Sequence, residues 1–260
     1  MGSVAGKVTP RDRILSVPVD RGAPDAMFAS IVERSRRGVG GTVCFANVHA
    51  LHLARRDPAL KDALESSFLV APDGMPLAKL LSWTGPRQER VDGMSAFPAL
   101  LERAADSGLP VALFGDAPEV LSAVVGKARR RFPTLRIVEA ISPRMGDLPF
   151  PDDADHVRRL VASGAAMVFV ALGCPKQELW MSRHAAAIPA VLLGVGNAFR
   201  TWVGLERRAP VWMRRAGLEW CVRLWQNPSR LWRRYLVSNA WFLVAAPAWL
   251  AKRRFRGPSP

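Results

Sequence analysis

Asp73 and Gly74 stand directly after the apolar run Phe68–Ala71. A carboxylate at the end of a buried strand faces the cleft that open α/β sheets form at their carboxyl edge, where it can take a proton from a hydroxyl. The same aspartate suits the N-cap of a helix over Met75–Trp83, because its side chain can accept an N–H of the first turn. Asn47, after the run Thr42–Phe45, poses the same choice between ligand contact and cap. A third corner is Val168–Trp180. Its apolar run ends at Gly173, Pro175 suits a first helical turn, and Lys176, Gln177 and Glu178 follow. A strand that opens through glycine into a helix is a ligand-binding place in such sheets, and is also an ordinary corner.

A second chemistry is written in the last quarter. Arg207, Arg208, Arg214, Arg215, Arg223, Arg230, Arg233 and Arg234 are interleaved with Trp212, Trp220, Trp225, Trp232 and Tyr235. Arginine grips a diphosphate with paired donors, whereas lysine acts as a point charge. Arg223, Arg230 and Arg233 are seven and three apart and share a helical face if the helix is continuous. Pro228 predicts a fresh helix start, which leaves Arg230 and Arg233 as the closer pair.

Other candidates favour structural readings. His49 and His52 have no carboxylate nearby to complete a metal set. Asp153-Ala-Asp155 has the Asp-X-Asp form that can hold a divalent metal, but it heads a helical pattern, where acidic residues complement the macrodipole. Gly194-Val-Gly196 lacks the third glycine of a dinucleotide fingerprint. Cys44, Cys174 and Cys221 are far apart and odd in number, which predicts neither disulfides nor zinc and favours a reducing cytoplasm. The N-terminal stretch with Lys7, Arg11, Asp12 and Arg13 has no apolar core of a signal peptide.

The net charge of +15 is uneven: residues 200–260 hold 13 Lys+Arg against 2 Glu, and seven of the nine Trp. A basic, Trp-rich end predicts an anionic partner. Within it Leu236–Leu250 is nearly uncharged and is followed by Lys252-Arg253-Arg254-Phe255-Arg256. Fifteen residues broken by Pro247 are short for a ~20-residue span. They fit an interfacial helix on an anionic leaflet, or a helix packed on protein. A nucleic-acid-binding tail is the rival reading, but a solvated nucleic-acid face has no need of that apolar run.

The elements that must position these groups alternate. Strands are expected at Ile14–Val17, Thr42–Phe45, Phe68–Ala71, Val111–Phe114, Arg136–Ala140, Met167–Leu172 and Val191–Val195. Helical patterns lie between them: Pro24–Arg37, Leu51–Ser66 (split near Asp57-Pro58), Met75–Trp83, Ser95–Ala105 with Ser95 as cap, Pro118–Phe132, Asp152–Ser163 and Gln177–Ala187. Such alternation predicts an α/β fold with a Rossmann-like, mostly parallel sheet and helices on both faces. The β signal stops after Gly196, so a core over 1–204 and a helical basic appendage over 205–260 are expected.

Taken in order, several short motifs go together: Ala46-Asn47-Val48, Pro72-Asp73-Gly74-Met75, Glu89-Arg90-Val91-Asp92-Gly93, Phe114-Gly115-Asp116, Gly173-Cys-Pro-Lys-Gln-Glu178, Gly194-Val-Gly196, Arg208-Ala-Pro210, Leu218-Glu-Trp220 and Arg230-Leu-Trp-Arg-Arg-Tyr235. With them the chain resembles the WecG/TagA/CpsF family of bacterial glycosyltransferases over about residues 14–240. The resemblance implies a C-terminal appendage that closes over the active site. It also implies inverting transfer of a sugar, often N-acetylmannosamine or its uronic acid, from a UDP donor to a polyprenyl-diphosphate-linked sugar. By similarity Asp73 is the base, Asn47 and Gln177 line the pocket, Arg90 is near it, and Arg223, Arg230 and Arg233 meet phosphates. No metal or cofactor is implied; self-association and a place on the inner face of the membrane are. Two positions depart from the family's pattern, Phe45 and Asp92, each where threonine is frequent. They leave the donor open among glucose, glucuronic acid and N-acetylmannosamine.

Overall fold

A computed structural model of the chain describes residues 10–256, apart from residues 145, 147 and 227 and the side chains of residues 215, 230, 234 and 254–256. A short hairpin comes first: β1 (Arg11–Ile14) and β2 (Val17–Asp20) pair antiparallel. The expected strand Ile14–Val17 is instead the hairpin's corner. Leu15 and Ser16 turn it with φ of 50° and 79°, in a region where glycine or asparagine is the usual signal. Arg11 holds the buried Asp20 carboxylate at 2.6 Å, and Asp20 accepts the Val70 N–H at 2.6 Å, which fastens the hairpin to the sheet.

The chain then alternates as its pattern predicts. Helix α1 (Pro24–Arg36) precedes β3 (Gly41–Ala46), and α2 (Val48–Ala54) and α3 (Pro58–Glu65) precede β4 (Leu69–Pro72). The break between α2 and α3 is the expected one, and Asp57 caps α3 by accepting the Leu60 N–H at 3.1 Å. Next come α4 (Met75–Ser82), α5 (Gly93–Asp106), β5 (Val111–Gly115), α6 (Pro118–Arg131) and β6 (Ile137–Ile141). Then follow α7 (Asp153–Ala162), β7 (Met167–Ala171), α8 (Lys176–His184) and β8 (Val191–Gly194). Asp92, not Ser95, caps α5: its carboxylate takes the Ser95 N–H at 2.9 Å and the Ser95 hydroxyl at 3.0 Å.

Strands β3 to β8 form one parallel sheet in the order β4-β3-β8-β7-β5-β6. Helices cover both faces, so most strands are apolar throughout rather than alternating. The pleat sorts β7: Met167 and Phe169 join the core with Ile31, Phe97 and Phe199, while Val168 and Val170 join Leu51, Leu77 and Trp180 on the other face. Trp180 stacks on Phe114 at 4.2 Å.

The C-terminal helices are α9 (Ala198–Val203), α10 (Val211–Ala216), α11 (Glu219–Gln226) and α12 (Pro228–Arg256). The apolar run Leu236–Leu250 is no separate element; it lies within α12, which continues through Pro247. One side of α12 packs on α2, with Trp241 edge-on to His52 at 5.2 Å and Ala246 buried. Arg253 near its end meets Asp12 of the hairpin at 3.0 Å. The other side leaves Leu236, Val237, Ala240, Leu243, Val244, Pro247 and Ala248 exposed. Their spacing by one, three or four makes a single apolar stripe. The reading of this run as a helix packed on protein therefore holds for one side, and the other side is left exposed. Among the described residues no helix is long and apolar enough to cross a membrane.

Candidate active site

The carboxyl ends of five parallel strands open onto one cavity of about 310 Å³. Each strand gives the residue that follows it: Asn47 after β3, Asp73 after β4, Asp116 after β5, Leu172 and Gly173 after β7, Val195 and Gly196 after β8. From the appendage side come Arg223, Leu231 and Tyr235. A smaller cavity of about 110 Å³, lined by Met75, Arg90, Glu219 and Trp220 among others, lies beside it. Asn47, Asp73, Arg223 and Tyr235 line both and so stand between them.

Asp73 is not a helix cap. Gly74, at φ 97°, is the N-cap of α4, which has no side-chain cap. The Asp73 N–H bonds the Ala46 carbonyl at 2.8 Å, which fixes the residue against the end of β3 and leaves the carboxyl in the cleft. Burial pushes that carboxyl up from 3.8 to about 6, and the negative charge of Asp92 adds to the rise; Arg223 and Arg90 pull against it. Such a group is ionised near neutral pH yet basic enough to take a proton.

Asp92 goes the other way. Burial works against its charge, but Arg90, Arg208 and the Ser95 donors outweigh burial and hold it below its ordinary value. Arg90 lies 2.8 Å from Asp92 and 2.5 Å from Glu219, and Arg208 lies 2.8 Å from Asp92. Arg90 is thus a tie between core and appendage that also lines the smaller cavity. Arg223 reaches Glu219 at 3.3 Å and the Met94 sulfur at 3.3 Å.

Asn47 is a cap as well as a lining residue: its Oδ1 accepts the His49 and Ala50 N–H groups, both at 3.1 Å. Gln177 is buried, and its amide is engaged by the protein. Its Nε2 donates to Glu178 at 2.9 Å and to the Gly194 carbonyl at 2.8 Å, while its Oε1 accepts the Gly173 N–H at 3.2 Å. A Cβ on Gly194 would lie 2.9 Å from that nitrogen, so glycine admits the amide there.

The structure brings Asn47, Asp73, Arg90, Gln177 and Arg223 together. It does not bring Arg233 with them: Arg233 is exposed, over the Trp232 ring at 5.3 Å. Nor do Arg223 and Arg233 share one helix, because α11 and α12 are separate. The Arg230 side chain lies outside the described residues. Asp153 and Asp155 diverge: Asp153 is buried and accepts the Trp180 N–H at 2.7 Å, whereas Asp155 pairs with Arg158 at the surface. Residues given no site role from the sequence are Asp116 with Arg200, Asn197 with Glu206, and Glu219 and Tyr235. Arg90 and Asp116 find their partners 129 and 84 positions away; the signals were motifs without a role, Phe114-Gly115-Asp116 for Asp116, Leu218-Glu-Trp220 for Glu219 and Arg230-Leu-Trp-Arg-Arg-Tyr235 for Tyr235.

The chain matches the Glycosyl transferase WecG/TagA/CpsF family model over residues 13–257, from the hairpin to the end of α12. It is also similar to the N-acetylglucosaminyldiphosphoundecaprenol N-acetyl-beta-D-mannosaminyltransferase of Bacillus spizizenii, with 32% identity over 199 residues, 76% of this chain and 75% of that protein. The chain belongs to the WecG/TagA/CpsF family of glycosyltransferases.

Proposed function

We propose that this glycosyltransferase moves N-acetylmannosamine or a related hexose or uronic acid from a UDP-sugar to a polyprenyl-diphosphate-linked saccharide, in cell-surface polysaccharide synthesis. The relative's name supplies the acceptor class and the favoured sugar. The observation that carries the reading is Asp73: a carboxyl raised to about 6, in the wall common to two cavities, with Arg223 beside it. The donor sugar takes the larger cavity and the acceptor hydroxyl enters from the smaller.

Asp73 takes the proton from that hydroxyl as its oxygen attacks the anomeric carbon. The bond to the UDP oxygen breaks on the opposite face, and the configuration inverts. One base suffices for a single displacement. Charge gathers on the departing diphosphate, where Arg223 stabilises it without a metal. The exposed apolar stripe of α12, with Arg233 before it and Lys252 after it, rests on an anionic membrane surface and keeps the enzyme near its lipid-linked acceptor. That stripe also disfavours a nucleic-acid partner.

Asp73→Asn tests the assignment, with UDP-N-acetylmannosamine and a short polyprenyl-diphosphate-linked N-acetylglucosamine as substrates. Loss of a general base costs ~10²–10⁴-fold in rate. A variant that keeps near-normal turnover removes Asp73 from the mechanism.

A further inference from the structure

The larger cavity extends well beyond the reacting centre. Asp73 follows β4 and Asp116 follows β5, and these strands are four steps apart in the sheet. At ~4.8 Å per step the two strand ends are about 19 Å apart. That span is comparable with an extended nucleoside diphosphate sugar. With the anomeric carbon at Asp73 and the diphosphate at Arg223, the nucleoside reaches the end of β5.

Asp116 is built rigidly into that end. It has φ 59°, a left-handed conformation that among non-glycine residues aspartate and asparagine adopt most readily. Gly115 before it approaches β7 so closely that a Cβ would lie 2.5 Å from the Ala171 carbonyl oxygen. Ser142 donates to the Asp116 carbonyl at 2.7 Å. Asp116 Oδ1 accepts the Ala117 N–H at 2.8 Å and Arg200 Nη2 at 2.8 Å, and Arg200 Nε lies 3.0 Å from both carboxylate oxygens. Oδ1 thus takes three of these bonds and Oδ2 only one, from the Nε–H that it shares with Oδ1, which leaves Oδ2 a lone pair for a further donor. Both residues line the cavity, and Glu206 lines it nearby. Two carboxylates against one guanidinium make this end unfit for phosphate and suited to a neutral group rich in donors.

We propose that Asp116 reads the ribose of the donor nucleotide, its Oδ2 accepting the 2′-hydroxyl, and that Arg200 is the positioning residue that fixes the carboxylate. This rests on the proposed nucleotide-sugar donor.

The test measures equilibrium binding of UDP and 2′-deoxy-UDP to wild-type protein, Asp116→Gly and Asp116→Asn. Glycine accepts φ 59° without strain, so the first variant removes the carboxylate and keeps the backbone; asparagine also tolerates that region. Wild-type protein is expected to favour UDP about tenfold or more, as for loss of a hydrogen bond to a charged group. In Asp116→Gly the ratio falls to within about twofold of unity while 2′-deoxy-UDP affinity is kept; Asp116→Asn falls between. An unchanged ratio in Asp116→Gly, no preference in wild-type protein, or equal loss of both nucleotides overturns the assignment and leaves the donor class standing. Failure of wild-type protein to bind either nucleotide overturns the UDP donor itself, and the ribose assignment with it.

Discussion

Nη1 of Arg90 lies 2.5 Å from Oε2 of Glu219, a residue 129 positions later in the chain. The pair joins the loop before α5 to the first residue of α11. Through Asp92 on one side and Arg223 on the other it belongs to a ring of alternating charges beside Asp73. Docking of the appendage and the proton affinity of Asp73 therefore depend on the same few side chains.

Arg90→Ala leaves Asp92 and Glu219 without their common partner. Breaking a buried pair costs about 3 kcal/mol, so a denaturant titration should show a loss of that order. Proteolysis of the C-terminal helices should also quicken. Removal of a positive charge raises Asp73 further, and the acid limb of the rate profile moves to higher pH. A limb that stays in place separates Arg90 from the electrostatics of Asp73.

Asp73 should govern the pH profile of kcat/KM, with activity falling as pH drops through about 6. Its folded-state value lies above its unfolded one. Stability from this group is therefore full below 3.8 and lost as pH rises through about 6. Asp73→Asn, neutral at every pH, should be more stable than wild type at pH 7.5 by about 3 kcal/mol. The gain should shrink towards zero near pH 4. Paired thermal melts at the two pH values check it.

Asp92→Asn keeps a good cap for α5 while it removes the negative charge that raises Asp73. The acid limb should move to lower pH, opposite to Arg90→Ala. Opposite shifts in the two variants, read in one buffer series, isolate the charge ring from general damage.

Leu243→Glu with Val244→Glu places two charges in the exposed stripe of α12. Flotation with anionic vesicles should be lost, while the melting curve stays within about 0.5 kcal/mol because the opposite side packs on α2. Undiminished flotation assigns membrane contact to another surface.

Full turnover in excess EDTA is expected if, as proposed, Arg223 serves the leaving diphosphate. Strict dependence on Mn²⁺ or Mg²⁺ would contradict that role.

Much of the core was legible because most strands of the parallel sheet are short apolar runs, several bounded by Gly, Pro or Asp, and periodicity survives without knowledge of neighbours. The corner at Leu15-Ser16 was not, because neither residue advertises a positive φ. The cap of α5 was displaced by three residues: Ser95 and Asp92 are both good caps, and only the loop geometry chooses between them. The site divides in the same manner. Asp73 and Asn47 follow strands directly and could be found locally. The pairs Arg90–Glu219 and Asp116–Arg200 join residues 129 and 84 positions apart, and no local pattern encodes their meeting. Gln177 was recognisable as a cleft residue, but not as one whose amide is already committed to Gly173, Glu178 and Gly194.

Arg253 meets Asp12 across 241 positions. During synthesis the whole parallel sheet, complete at Gly194, emerges before α11 and α12 exist. A nascent core thus holds Asp73 in an open cleft, with Arg223 and Tyr235 still to come and the His52 side of α2 uncovered. The site is completed by the C-terminal helices: until α11 and α12 pack on the core, the cavity around Asp73 is without the wall that Arg223, Leu231 and Tyr235 give it.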